Sequence, residues 1–260
     1  MPRTGPPLIL AYHGLAEVPR EQDPTGLMVP PNHFRRHVQR LRARGYEFVT
    51  QAEFARRLVA GGPPRGVCSV TFDDGSVDNF ELFPTLLAEL KVPATVYVCP
   101  NLLGRAYPWL PAQTGIRLMN GREVGELARL PWVEIGSHTL DHTVLGQAGP
   151  ERARREMRES KAAVEDLVGT EVVSFAYPKG LYSPACPTAA RQAGYLSAVT
   201  TGSRGSWRPH ELRRETPDPL DGRVTFELKS RGLYYRTRSS PPARLVRWST
   251  RPMRHRRGRL

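Results

Sequence analysis

The sequence has few cysteines and no long apolar run. Its three cysteines are an odd number at wide, irregular spacings, so they form neither a zinc-type CxxC motif nor a disulfide framework. No stretch approaches the roughly 18 consecutive apolar residues of a membrane-spanning helix, and residues 8–11 are too short for the apolar core of a signal peptide. We therefore expect a protein of a reducing compartment and place it in the cytoplasm.

Acidic residues are absent from the last 33 residues of the chain. Residues 228–260 contain one lysine and ten arginines, so they carry +11 of the net charge of +13, and the other 227 residues carry only +2. The simplest interpretation is a solvated basic tail. Contact with anionic membrane lipid is an alternative. We expect no nucleic-acid partner, because aromatic residues are sparse among the arginines.

The rest of the chain alternates strand-like apolar segments with helical patterns and contains no internal repeat. About seven strands and five or six helices are predicted, which implies parallel strands joined by right-handed crossovers. The length suits one α/β barrel, so we predict a single domain over residues 1–230 and a tail over 231–260. The clearest predicted elements are strands at 8–12, 67–72 and 94–98 and helices at 77–90 and 150–168.

Polar residues before helical patterns predict where other helices begin. Thr50 opens a capping box, since a glutamate follows it by three residues. Further helices are predicted to start at Asn32, Asn120 and Ser183. After the last predicted strand, which ends at residue 200, only residues 224–228 are expected to be ordered.

Polar groups follow four of the predicted strands directly. These groups are His13, Asp73-Asp74, Ser137-His138 and Tyr177-Pro178. The carboxyl ends of parallel strands meet at one rim of an α/β fold, and that rim carries the chemistry. Four polar groups at one rim are hard to explain as core filling, so we predict a functional site there.

Two adjacent carboxylates, Asp73 and Asp74, end the apolar strand. Like charges held so close raise each other's pKa unless a cation lies between them. His138 and His142, placed on one helical turn, would supply two ligands, and Asp74 completes the two-histidine, one-carboxylate set that is typical of catalytic zinc. Asp73 then remains as a base for water whose pKa the metal lowers. The alternative is a helix-capping aspartate pair and two surface histidines.

Three motifs together resemble those of a known family. Thr71-Phe-Asp-Asp-Gly75, Ser137-His-Thr-Leu-Asp-His142 and Phe175-Ala-Tyr-Pro-Lys-Gly180 are similar to the motifs of the polysaccharide deacetylases, the nodulation-type carbohydrate esterases. The resemblance covers residues 8–228. It implies a distorted (β/α)7 barrel, a divalent metal that is usually zinc, and hydrolysis of an N-acetyl group from an amino-sugar glycan.

The resemblance also implies a role for each matching residue. Asp73 is expected to be the general base, and the expected metal ligands are Asp74, His138 and His142. The residues expected to orient the site or contact the substrate and the oxyanion are Thr139, Tyr177, Pro178 and Lys179, the last through its backbone.

This chain departs from the family pattern at two places. Many members have an arginine where this chain has Ala176, so we expect the base to be tuned differently or less strongly. The usual C-terminal Leu-x-His motif of the general acid is missing after residue 200. Leu10-Ala-Tyr-His13 instead resembles the permuted biofilm poly-N-acetylglucosamine deacetylases, so we expect His13 to protonate the leaving amine. There are two alternatives. His13 is a buried hydrogen-bonding residue at a strand end, or His210 is the acid.

Two other functions remain open at this stage. A metal hydrolase of a small amide would use the same residues, and the predicted loop at 101–119, with Trp109, is expected to decide between the two substrate sizes. A catalytically weak module that binds glycan or membrane through the basic tail is the second alternative. Retention of the whole set of acids and histidines argues against it. The sequence leaves the oligomeric state open.

Overall fold

The strands are continuous apolar runs because helices cover the outer face of the sheet, so both faces are buried. The computed structural model describes residues 5–202 and 205–234. It contains one seven-stranded parallel sheet in the order β1-β3-β4-β5-β6-β7, with β2 beside β3. The strands are β1 (Leu8–Tyr12), β2 (Glu47–Val49), β3 (Val67–Phe72), β4 (Ala94–Val98), β5 (Val133–Ser137), β6 (Ser174–Ala176) and β7 (Ser197–Val199).

Seven α-helices lie between and after these strands in the described residues. They are α1 (Pro31–Ala43), α2 (Gln51–Gly61), α3 (Val77–Leu90), α4 (Gly121–Leu127), α5 (Pro150–Val168), α6 (Cys186–Gln192) and α7 (Arg223–Ser230). The α/β barrel-like architecture is therefore confirmed, with one or two more helices than predicted. None of the described helices is long and apolar enough to cross a membrane.

Helix starts were predictable where a side chain caps the backbone. The Thr50 hydroxyl accepts a hydrogen bond from the Glu53 amide, and Asn120 opens a complete capping box. The predictions for Asn32 and Ser183 are wrong. Helix α1 begins one residue before Asn32, after Pro30, and α6 begins at Cys186. At both helices, prolines in the first turn fix the backbone without a capping side chain.

The distortion of the barrel arises at β3. One edge of β3 pairs with the whole of β1, through residues 68–72. The other edge is divided, because β2 pairs with residues 67–69 and β4 pairs with Thr71 and Phe72. This divided edge places the carboxyl end of β3 beside β4 and its amino end beside β2.

An irregular segment, residues 212–215, closes the gap between β7 and β1. Leu212 exchanges backbone hydrogen bonds with β7, through the Ala198 carbonyl and the Thr200 amide. Glu215 bonds in the same way to Ile9 and Ala11 of β1. The expectation that nothing is ordered between residue 200 and residue 224 is therefore wrong. This closing segment carries Arg214 into the barrel, where its side chain is fully buried.

Tyr97 fills the middle of the barrel beneath the rim. A Cβ atom on Gly136 of β5 would lie 2.5 Å from the Tyr97 ring, so only glycine leaves room for it. The guanidinium of Arg214 lies 5.6 Å from the centroid of this ring. The two buried side chains thus pack against each other. Of the predicted basic tail, residues 235–260 lie outside the described residues.

Candidate active site

Three side chains from two strand ends converge at the rim. Asp74 follows β3, while His138 and His142 follow β5, and their ligand atoms all lie within 4.8 Å of one another. The Nε2 atoms of both histidines are 3.6 Å from Oδ1 of Asp74. The residues predicted to bind a metal are therefore brought together. The alternative of capping aspartates and surface histidines does not fit, since Asp74 and His138 are almost completely buried.

The spacing of His138 and His142 suggested that both lie on one helical turn, but they do not. Residues 138–142 form a tight turn in which Thr139 and His142 have positive φ angles of 66° and 62°. Asp74 also has a positive φ, of 70°. Left-handed backbone at residues other than glycine costs about 1–3 kcal/mol each and persists where the surroundings enforce it. Two of the three candidate ligands are therefore held in strained turns.

Hydrogen bonds orient two of the candidate ligands. The Nδ1 atom of His138 is 2.7 Å from the carbonyl oxygen of Ala176, so Nδ1 donates and the lone pair of Nε2 faces Asp74. Oδ2 of Asp74 accepts a hydrogen bond from the Tyr107 hydroxyl, whereas its buried Oδ1 has no hydrogen-bond partner. A buried carboxylate oxygen without a partner is costly. These atoms fit a divalent metal bound between Oδ1 and the two Nε2 atoms.

Burial sets the protonation tendencies of these ligands. Burial, reinforced by the nearby His138, lowers the pKa of His142 to about 3, which favours the neutral imidazole that binds metals. Burial likewise raises the pKa of Asp74. A cation between the ligands would oppose this shift, because it favours the ionised carboxylate.

Arg214 is a site residue that the sequence analysis missed. Its Nη1 and Nη2 atoms donate to the two oxygens of Asp73, both at 2.7 Å, and it also donates to Thr71 and to the Thr200 carbonyl. Burial alone would raise the pKa of Asp73, but the charge and hydrogen bonds of Arg214 hold it well below its usual range. Of the two expectations drawn from Ala176, weaker tuning of Asp73 does not fit, whereas different tuning does, because the closing segment supplies the arginine. No local pattern around residue 214 indicates this contact.

The rim encloses a cavity of 420 Å³. Five residues with a predicted catalytic or metal-binding role line it, namely His13, Asp73, Asp74, His138 and His142. Leu27 and Trp109 contribute apolar wall, so the loop at 101–119 does border the site. The His13 ring makes no hydrogen bond among the described residues, which argues against a purely structural role. His210 instead contacts the Tyr195 carbonyl and lines a separate cleft.

The predicted substrate residues differ in their placement. Lys179 lines the cavity and has a positive φ of 56°. Thr139 is fully buried, and its hydroxyl has no hydrogen-bond partner. The Tyr177 hydroxyl donates to the His210 carbonyl, away from the cavity, and Pro178 is buried. The roles of these four residues in substrate binding stay predictions.

A parallel barrel with an acid pair and two histidines at its carboxyl rim defines a hydrolase-like site, and comparison with known proteins identifies the family. Residues 60–198 match the model of the polysaccharide deacetylases. This match covers more than half of the chain, which therefore belongs to the polysaccharide deacetylase family. The resemblance of its motifs is confirmed.

Similar proteins agree with this assignment. YxkH of Bacillus subtilis (strain 168) carries the provisional name of a polysaccharide deacetylase. It is 27% identical to this chain over 194 residues, which is 74% of this chain. The match spans 63% of YxkH, less than two thirds of its length.

Two solved structures have the same fold. The deacetylase PplD of Streptococcus pyogenes, solved in complex with acetate, is 24% identical and superposes with a TM-score of 0.72 over 88% of this chain and 99% of PplD. IcaB from Ammonifex degensii is 19% identical, with a TM-score of 0.69 over 89% of this chain and 98% of IcaB. At these identities the likeness shows the fold.

Proposed function

We propose that this protein is a metal-dependent hydrolase that removes the N-acetyl group from an amino-sugar glycan and releases acetate. One observation carries the proposal. The Nε2 atoms of His138 and His142 converge on Oδ1 of Asp74, which has no hydrogen-bond partner. Asp73 and His13 line the same cavity. Membership of the polysaccharide deacetylases supports deacetylation of a glycan.

The ligand set favours zinc among the divalent metals. Two imidazoles and one carboxylate would hold the metal with the ligand set of catalytic zinc sites, which keep a coordination position open for water or substrate. When bound, the metal would polarise the acetyl carbonyl and lower the pKa of water. The chain's own part is to hold Asp74, His138 and His142 in place.

Asp73 is proposed as the general base. Arg214 contacts both of its oxygens, which fixes the carboxylate in one orientation and favours its ionised form at neutral pH. In this form Asp73 accepts a proton from the attacking water. His13 lines the cavity, and its ring makes no hydrogen bond within residues 5–202 and 205–234. We assign to it protonation of the leaving nitrogen. Lys179 lies at the cavity wall, where its backbone amide is proposed to stabilise the oxyanion.

The cavity bears on the size of the substrate. A volume of 420 Å³ lies within the range of about 300–1,000 Å³ that is typical of small-ligand sites. Leu27 and Trp109 are among the residues that line it. We infer that the cavity holds a short part of the glycan around the acetylated sugar. The same enclosure keeps a second candidate open, a hydrolase of a small amide.

Acetate release and metal content test these proposals together. The purified protein is assayed on N-acetylglucosamine oligomers of increasing length and on small N-acetyl amides, before and after chelation. Bound zinc with chelator-sensitive release from the oligomers supports the proposal. Release from small amides alone favours the second candidate. Bound zinc without any acetate release, together with glycan binding, would favour a binding module.

Asp73→Asn provides the matched catalytic variant. We expect it to bind zinc as the wild type does, because Asp73 is not among the proposed ligands, and to lose turnover. Wild-type turnover in this variant would refute the assignment of Asp73 as the base.

Residues 231–260 supply the proposed link to a membrane. Their arginines would attract an anionic lipid surface, at about 1 kcal/mol for each basic residue near it. We propose that the protein acts in the cytoplasm, at the inner face of the membrane, on a glycan that is linked to lipid or nucleotide.

A further inference from the structure

The loop between β4 and α4 contacts two of the three proposed metal ligands. The Tyr107 hydroxyl donates to Oδ2 of Asp74 at 2.6 Å. The Trp109 ring lies against the His142 ring, with centroids 4.3 Å apart and an interplanar angle of 54°. The family motifs assign no role to Tyr107 or to Trp109. We call residues 104–119 the ligand clamp.

The ligand clamp is itself anchored to the turn that carries Asp74. The amide of Met119 donates to the carbonyl of Gly75, and the amide of Val77 donates to the carbonyl of Arg117. Within the clamp, Tyr107 and Ile116 are bonded through their backbones, so the loop doubles back as a narrow antiparallel pair. This pairing fixes the base of the loop next to Asp74.

Packing fixes the two aromatic rings of the clamp. Tyr107 is 2% exposed and meets Trp109 edge to face, at a centroid distance of 5.4 Å. Met28, Leu110 and Leu118 complete a small apolar cluster around Tyr107 that is separate from the main core. The Tyr107 hydroxyl therefore reaches Asp74 from a rigid support.

Asp74 and His142 need such support because both have strained, left-handed backbones. A free carboxylate on a strained turn would rotate about its side-chain bonds. The hydrogen bond from Tyr107 occupies Oδ2 and leaves Oδ1 facing the two imidazoles. Groups that orient a metal's ligands typically contribute 10-fold to 100-fold to metal affinity.

We propose that the ligand clamp preorganises the metal site, with Tyr107 as the positioning residue for Asp74 and Trp109 as the positioning residue for His142. This inference deepens the proposed function and rests on it, because it requires that the three ligands bind a metal. Tyr107→Phe keeps the ring and removes only the hydroxyl. We expect this variant to bind Zn²⁺ about 10-fold to 100-fold more weakly than the wild type.

The test measures metal binding and not turnover. Zn²⁺ affinity is determined by competition with a chromophoric chelator, and the absorption spectrum of bound Co²⁺ reports on the ligand arrangement. Tyr195→Phe is the matched control, because its equally buried hydroxyl donates to the Met157 carbonyl, away from the site. Trp109→Leu tests the contact with the His142 ring.

The possible outcomes distinguish a failure of the ligand clamp from a failure of the proposed function. Weaker Zn²⁺ binding and an altered Co²⁺ spectrum in Tyr107→Phe, with both unchanged in Tyr195→Phe, support the clamp. Wild-type affinity and spectrum in Tyr107→Phe would overturn it and leave the proposed function standing. A wild-type protein that binds no metal would overturn both.

Discussion

The buried ion pair between Arg214 and Asp73 allows one prediction to be worked through in detail. Arg214→Met retains an unbranched side chain but removes two hydrogen bonds to Asp73 and one each to Thr71 and Thr200. Asp73 then keeps a charge in a fully buried position. Removing one partner of a buried ion pair costs about 3–5 kcal/mol, so we expect a loss of that size in the free energy of unfolding at neutral pH.

The expected loss depends on pH in a defined direction. In the wild type, the pKa of Asp73 lies below its unfolded value of about 3.9, so the ionised carboxylate contributes stability that is present at neutral pH and lost as the pH falls through the folded pKa. Without Arg214, burial raises the pKa of Asp73, and the folded variant gains stability by binding a proton as the pH falls. The difference between the free energies of unfolding of the two proteins therefore decreases as the pH falls toward about 4.

Denaturant unfolding of the metal-free proteins across this pH range measures both effects. Arg208→Met is the control, because its side chain lies near the same segment but is 82% exposed. Adding Asp73→Asn to Arg214→Met removes the uncompensated charge, so we expect the double variant to recover part of the loss. A loss of only about 1 kcal/mol, the size of a surface ion pair, or a loss that is the same at every pH, would refute the reasoning.

Three further predictions concern the relocated arginine, the proposed acid and the tail. Ala176 lies in the same interior cluster as Tyr97, so we expect Ala176→Arg to restore part of the stability and activity of Arg214→Ala, and to destabilise the protein where Arg214 is intact. If the double variant recovers neither stability nor activity, an arginine at residue 176 does not place its guanidinium where that of Arg214 lies. His13→Gln should lower kcat by about 100-fold to 10,000-fold with unchanged Zn²⁺ affinity, whereas His210→Gln should leave kcat unchanged. If His210→Gln instead lowers the rate of acetate release and His13→Gln does not, His210 is the acid. Deleting residues 236–260 should reduce sedimentation with anionic vesicles and spare activity on a soluble substrate, and unchanged sedimentation would remove the proposed role of the tail.

The sequence by itself determined most of the barrel and the composition of the metal set. The predicted strands 8–12, 67–72 and 94–98 and the predicted helices 77–90 and 150–168 are all confirmed. These elements depend on local properties, such as continuous apolar runs, glycines at helix ends and proline at a helix start. The acid pair and the two histidines were also recognisable, since each lies directly after a strand, and parallel strands bring their carboxyl ends together.

Only the tertiary structure decided how these residues are held. Arg214 and Asp73 are 141 residues apart, and Tyr107 and Asp74 are 33 residues apart. Arg214 enters the barrel because residues 212–215 pair with β1 and β7, and this pairing has no local hydrophobic pattern. The turn at His142 has left-handed backbone that packing imposes against the residue's own preference. Such contacts depend on which distant segments meet when the barrel closes, and local sequence periodicity does not predict which segments these are.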